Sequence, residues 1–335
     1  MTINGLLHLA GALAFWALCL IGMAALALAL ALAAPLSRPP MLASIHDTAS
    51  AVDLFGMPDV SRLQARDGTD LAYRFYPAQA FGDGRAGSER IAILAHGSSA
   101  SSASMHALAK ALAERGIATY ALDMRGHGHS GTRGDIAYIG QLDDDLADFV
   151  AFIRKSDPDA RLLLIGHSSG GGFVLHVAGS ALQGQFARFV LLAPYLGYDA
   201  PSSRADSGGW ARPDIPRILA LSILRRIGVD CCSSLPVLAF ATAPNLQSIL
   251  TSIYSYRLMR NYATNDYRRD LANASAPIAV FDGADDELMD SGKYSDAIKG
   301  FESKVTLRLI PGINHMAIVS SKPALSAIVA DAVAN

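Results

Sequence analysis

The chain is 335 residues long, 51% hydrophobic and 17% charged, with a formal net charge of −2. That length accommodates one large α/β domain with appended segments. The charge excludes a general nucleic-acid binder, which needs a basic surface, and three cysteines are too few for a disulfide framework.

Much of the apolar excess lies at the N-terminus. From Leu9 to Ala34 no residue is more polar than Gly or Cys. At about 1.5 Å of rise per helical residue, such a run can cross a hydrocarbon core of about 30 Å. No Lys or Arg precedes Arg38, and the run outlasts the apolar core of a signal peptide, about 7–15 residues. Residues 1–34 are therefore expected to be an uncleaved membrane anchor. A cleaved signal, with Ala31-Leu32-Ala33 as the small-residue site, is the alternative. Arg38 on the C-terminal flank favours a cytoplasmic catalytic domain, whereas cleavage would export it. Pro35, Pro39, Pro40 and Pro58 then predict a linker over residues 35–60.

A hairpin follows, Ser61 to Arg66 and Leu71 to Tyr76 about an Asp67-Gly68 turn. Residues 80–88 are Gly-rich and polar, a loop. From Arg90 the pattern alternates. Short apolar runs at 91–94, 117–122, 162–165, 189–192, 278–281 and 305–310 predict strands, the shortest of them buried on both faces. Helices are expected from Ser104, as N-cap, to Arg115, ended by Gly116; from Gln141 to Lys155; from Gly170 to Leu182; and from Pro323 to Ala334. Asp143, Asp144 and Asp145 at the start of the second of these suit the helix dipole as a solvated acidic turn. Such alternation implies an α/β fold, a mostly parallel sheet covered by helices on both faces, over residues 61–335. It breaks once, at about 195–276, too long a stretch for a loop, and this is expected to be an inserted helical cap.

The sharpest chemical signal is Gly166-His167-Ser168-Ser169-Gly170, set between an apolar strand and a helix. That context makes Gly-x-Ser-x-Gly a nucleophile elbow, with the Ser168 hydroxyl exposed at a helix N-terminus. A nucleophilic serine needs a base oriented by a carboxylate, in the chain order Ser, acid, His. His315, after the last strand, is the base candidate. The acid belongs after the penultimate strand, in Asp282-Gly283-Ala284-Asp285-Asp286-Glu287. Asp286, three after Gly283, is favoured over Asp285 and Asp282, and the carboxylates not used are expected in a solvated loop. The oxyanion hole needs two backbone amides: Ser169, following the nucleophile, and Ser98, in the loop after the strand that ends at Leu94. His96 is expected to be structural, and the spacing of Asp123, His127 and His129 is not that of a zinc site.

His96-Gly97, Leu122-Asp123-Met124-Arg125-Gly126-His127-Gly128-His129-Ser130 and Gly166-His167-Ser168-Ser169-Gly170-Gly171 together resemble the monoglyceride-lipase and lysophospholipase-like (serine aminopeptidase-type) group of α/β-hydrolases, from about Ser61 to the C-terminus. The resemblance implies Ser168, Asp286 and His315 as the triad, Ser98 and Ser169 as oxyanion donors, and neither cofactor nor metal. It departs from the group at Ser169, where many members carry Met, and in the serine-rich loop Ser98 to Ser104.

Between Pro201 and Asp270 the chain holds nine Arg against five Asp, with no Lys or Glu. Within this segment, Ile215 to Ile227 reads as a helix with Pro216 in its first turn and Gly228 as its stop. Ile215, Ile218, Leu219, Ile223, Leu224 and Ile227 give it a wide apolar face, expected either to pack on the core or to grip lipid. Cys231 and Cys232 are neighbours whose intervening peptide disfavours a disulfide; they are expected to be ordinary thiols. The expected activity is hydrolysis of carboxylic esters of amphiphilic substrates at a membrane, monoacylglycerols or lysophospholipids. A peptidase, thioesterase or acyltransferase with the same triad, or a non-catalytic scaffold, are the alternatives.

Overall fold

The computed structural model describes residues 3–79, 89–246 and 250–334; the loop expected at 80–88 lies outside them. The chain opens with α1 (Ile3–Ala33) and α2 (Ala43–Ser50), followed by the hairpin β1 (Ser61–Gln64) and β2 (Asp70–Tyr76). The alternating part runs β3 (Arg90–Ala95), α3 (His106–Ala113), β4 (Ala118–Leu122), α4 (Gln141–Ser156), β5 (Arg161–His167), α5 (Ser169–Ala178) and β6 (Arg188–Leu192). The insertion holds β7 (Ala211–Pro213), α6 (Ile215–Arg226), β8 (Pro236–Phe240), β9 (Ile253–Ser255), α7 (Tyr256–Asn261) and α8 (Tyr267–Asn273). Then come β10 (Ile278–Gly283), α9 (Tyr294–Ala297), β11 (Val305–Ile310) and α10 (Lys322–Ala334).

Eight strands form one sheet in the order β1-β2-β4-β3-β5-β6-β10-β11, parallel from β4 to β11, with β2 antiparallel to both β1 and β4. Its central strands are buried on both faces, which is why their sequences read as unbroken apolar runs. Alternate residues feed two cores. Ile91 and Ile93 face α4 and α5 through Leu146, Phe149 and Phe173, while Ala92 and Leu94 face α3 and α10 through Leu108, Leu112 and Ile328. This layering brings the C-terminal ends of β3, β5, β10 and β11 to one edge, where open α/β sheets place their ligands.

Several sequence expectations need correcting. The helix expected from Ser104 begins as a 3₁₀ turn at Ser102–Met105, and the Ser104 hydroxyl bonds back to the Ser101 carbonyl instead of capping α3. The helix expected to reach Leu182 stops at Ala178 and resumes as a 3₁₀ turn at Ala181–Gln185. The cap is not purely helical: β7, β8 and β9 form a three-stranded antiparallel sheet. Two of these strands are three residues long and prolines sit in β7 and β8, so no period-2 pattern announced them. Residues 35–60 are not a free linker. They contain α2, with Ile45 buried in the main core and the Leu42 amide bonded to the Ala241 carbonyl of the cap at 3.2 Å.

On α6, the buried side carries Arg217, Ala220 and Leu221, whereas Ile215, Leu219, Ile223 and Ile227 form an exposed stripe. The acidic turn of α4 is not all solvated. Asp145 is buried against Arg125 at 2.7 Å, and Asp143 bonds His176 at 2.7 Å and Asn261 at 2.9 Å. Cys231 and Cys232 are free thiols with their sulfurs 3.0 Å apart. Within α1, Ala10–Ala33 is long and apolar enough to cross a membrane, by length and composition.

Candidate active site

Ser168 sits between β5 and α5 with φ 55° and ψ −119°, a conformation that non-glycine residues avoid. Such a residue stores about 1–3 kcal/mol of strain and persists only where its surroundings fix it. Here they do: the Ser168 amide bonds the Leu192 carbonyl at 2.9 Å, and its carbonyl accepts from the Gly172 and Tyr195 amides, both at 3.0 Å. The flanking glycines are required by close approach. A Cβ on Gly166 would strike the Gly170 backbone, and one on Gly170 would strike the carbonyls of Ala95 and His96.

His315 follows β11 on the neighbouring loop. Its Nδ1 lies 2.7 Å from Asp286 Oδ2, and both side chains are buried. The other carboxylate oxygen of Asp286 accepts from the Leu288 and Met289 amides at 2.7 and 2.8 Å. Burial opposes ionisation of Asp286, but the His315 ring and these amides outweigh it and hold the carboxyl below the usual carboxylate range. Ser168 and His315 line one cavity; among the described residues they are not hydrogen-bonded to each other, as is common before substrate closes such a pair.

The amides of Ser98 and Ser169 donate no hydrogen bond among the described residues, and Gly97 packs directly against Ser168. The Ser98 loop is tightly held. Ser99, at φ 66°, donates from its amide to the Tyr254 hydroxyl at 3.0 Å and from its own hydroxyl to the Thr251 carbonyl at 2.6 Å. His96 accepts from the Met124 amide at Nε2, which places its proton on Nδ1, bonded to the Gly97 carbonyl at 2.7 Å. Burial lowers its pKa, so it serves as a neutral brace. Asp123 bonds the Ser102 and His129 amides at 2.7 and 2.9 Å, tying the two loops together. His167, buried beneath His315, has its pKa pushed down to about 3 by burial and by its neighbour's charge; it contacts the His315 carbonyl at 3.1 Å.

Of the four clustered carboxylates, only Asp285 is exposed, which corrects the expectation of a solvated loop. Glu287 accepts from the His315 amide at 3.0 Å, a positioning contact the sequence did not reveal. Trp210 was also missed: its indole nitrogen donates to the Ser98 hydroxyl at 2.8 Å, joining the cap to the loop below it. Asp282 is the next-to-last residue of β10, behind Asp286. Both its oxygens are buried with no donor among the described residues, and burial plus the charge of Asp286 push its pKa up to about 9. The neutral form is thereby favoured, and its proton can be shared with Asp286.

That proton has a measurable consequence. Unfolded aspartate has a pKa of about 3.9. Between there and about 9, the folded state holds a proton that the unfolded state has lost, so the stability Asp282 contributes falls as pH rises through this window. Asp282→Asn keeps the shape without the ionisation. Its Tm is expected to exceed that of the unmodified chain, by a margin that widens toward alkaline pH and then levels. A margin independent of pH, measured by thermal melts across the window, would contradict the protonated assignment.

Residues 87–321 match the family model described as serine aminopeptidase, S33. A monoacylglycerol lipase of Mycolicibacterium smegmatis is 31% identical over 105 residues; the match covers 31% of this chain and 37% of that relative's length. Among solved structures, a soluble variant of monoglyceride lipase from Saccharomyces cerevisiae, in complex with a substrate analog, superposes with a TM-score of 0.61 at 16% identity, over 82% of this chain and 93% of that one. The monoacylglycerol lipase of Paleococcus ferrophilus gives 0.55 at 18% identity, over 79% and 98%. The chain belongs to the serine aminopeptidase S33 family and has the α/β-hydrolase fold of the monoglyceride-lipase type.

Proposed function

We propose that the protein hydrolyses carboxylic esters of amphiphilic, lipid-like substrates, monoacylglycerols or lysophospholipids, while anchored in a membrane by α1. The observation that supports this most is a strained Ser168 and a buried His315–Asp286 pair opening onto one mainly apolar cavity of about 240 Å³. His315 takes the Ser168 proton as Oγ attacks the ester carbonyl, and Asp286 holds the ring with its acceptor nitrogen toward the serine. The Ser98 and Ser169 amides receive the oxyanion. His315 then protonates the departing alcohol, and water, activated by the same ring, releases the fatty acid and restores Ser168.

The lipid preference draws on the surface around the cavity. The stripe Ile215, Leu219, Ile223 and Ile227 of α6 is exposed beside α1, and Leu32 of α1 packs in the cluster of Leu221, Val237 and Tyr256. An apolar stripe next to a membrane-length helix suits the lipid interface. Arg225 and Arg226 at the end of α6 are exposed, well placed for anionic headgroups.

A panel of esters tests this reading. Burying a methylene contributes about 0.8 kcal/mol, so kcat/KM is expected to rise steeply with acyl length until the cavity is full. Arg225→Gln with Arg226→Gln should reduce turnover of anionic amphiphiles more than of neutral ones, an effect that added salt erases. Acetyl esters as the best substrates would refute the lipid reading. Preference for matched thioesters or peptides would favour the other chemistries open to this triad.

A further inference from the structure

The cavity has a wall that does not come from the region matched to the family. That match begins at residue 87, yet Ile45, Ala49, Val52 and Leu54 line the same cavity as Ser168 and His315. Ile45, Ala49 and Val52 are spaced i, i+4, i+7, so one apolar face of α2 and its C-terminal continuation is turned toward the cavity. Asp47, on the other side, is exposed.

This segment is fastened at both ends and in the middle. The Leu42 amide bonds the cap at Ala241. The Thr48 hydroxyl accepts from Asn314, the residue before His315, at 3.0 Å. Farther on, the Phe55 carbonyl contacts His106 Nε2 at 3.3 Å and the Pro58 carbonyl accepts from Arg74. A passive tether would spend no such contacts on the loop that carries His315.

We infer that the segment between the apolar helix and the catalytic domain, Leu42 to Leu54, is the acyl-binding wall of the active site and sets its chain-length selectivity. This rests on the ester reading above. The acyl chain lies between α2 and the cap, with Ile45, Ala49 and Val52 on one side and Trp210 on the other. The apolar helix and the substrate-binding wall are thus consecutive parts of one N-terminal element, and the wall stands where a chain drawn from lipid would enter.

Ala49→Trp and Val52→Trp each place an indole at the cavity mouth, and Asp47→Trp places one on the outer side of the same helix. The full-length proteins, in lipid nanodiscs, are assayed against p-nitrophenyl esters from acetyl to palmitoyl, with thermal melts to establish folding. Ala49→Trp and Val52→Trp are expected to lower the ratio of long-chain to acetyl kcat/KM at least tenfold, and Asp47→Trp to leave the ratio unchanged. If the unmodified protein favours long chains and neither variant that folds moves the ratio, the wall assignment falls and the ester reading survives. If the unmodified protein favours acetyl esters, the lipid reading itself falls and takes this inference with it. An equal shift by Asp47→Trp would assign the effect to helix disruption and overturn the inference.

Discussion

Ser168→Ala is expected to abolish labelling by a fluorophosphonate probe and to lower ester hydrolysis by roughly 10⁶. Alanine keeps the Cβ, and with it the steric demand of the elbow at φ 55°, so the three backbone hydrogen bonds that hold residue 168 stay in place. The loss is then chemical, and the variant should melt with the unmodified protein. Residual catalysis of about 10³–10⁴ over water can survive in the amide donors and in binding. Persistent labelling in the variant would place the nucleophile elsewhere.

Asp286→Asn is the second large effect, and the geometry fixes its sense. One oxygen of Asp286 takes both the Leu288 and Met289 amides, and the other faces His315. An asparagine must keep its carbonyl on the two amides, which turns its NH₂ toward Nδ1. Nδ1 becomes an acceptor, the ring proton moves to Nε2, and the ring can no longer accept from Ser168. Loss of the correct tautomer costs roughly 10⁴ in turnover. Labelling should slow in proportion, with substrate KM little changed. Asp285→Asn, at an exposed position, should be nearly silent; if it is the more damaging of the two, Asp286 is not the orienting acid.

Much of this site was legible in the sequence because its parts are local. The elbow is five residues with a steric reason for each glycine, and the strands that carry it are apolar runs that only a two-sided burial explains. What stayed hidden depends on partners far along the chain. Asp143 and Asp145 look like a polar helix start until Arg125 and His176 arrive to neutralise them. Asp282 looks like one loop carboxylate among four until the sheet buries it without a donor. The prolines of 35–60 do mark irregular backbone, but α2 is eight residues long, shorter than an isolated helix that holds its shape in water. It forms because the main core gives Ile45 somewhere to go, and no local pattern carries that information.

Arg217 has a mechanical consequence. Its guanidinium is buried and bonds the Ala34 carbonyl just past the end of α1, the Pro236 carbonyl of the cap, and Asp214. An enzyme hung from a loose leash samples all attitudes and wastes most of its collisions with a surface. Here the chain just past the apolar helix is clamped to the cap, so the direction in which α1 leaves the catalytic body is set by a buried contact instead of a flexible joint.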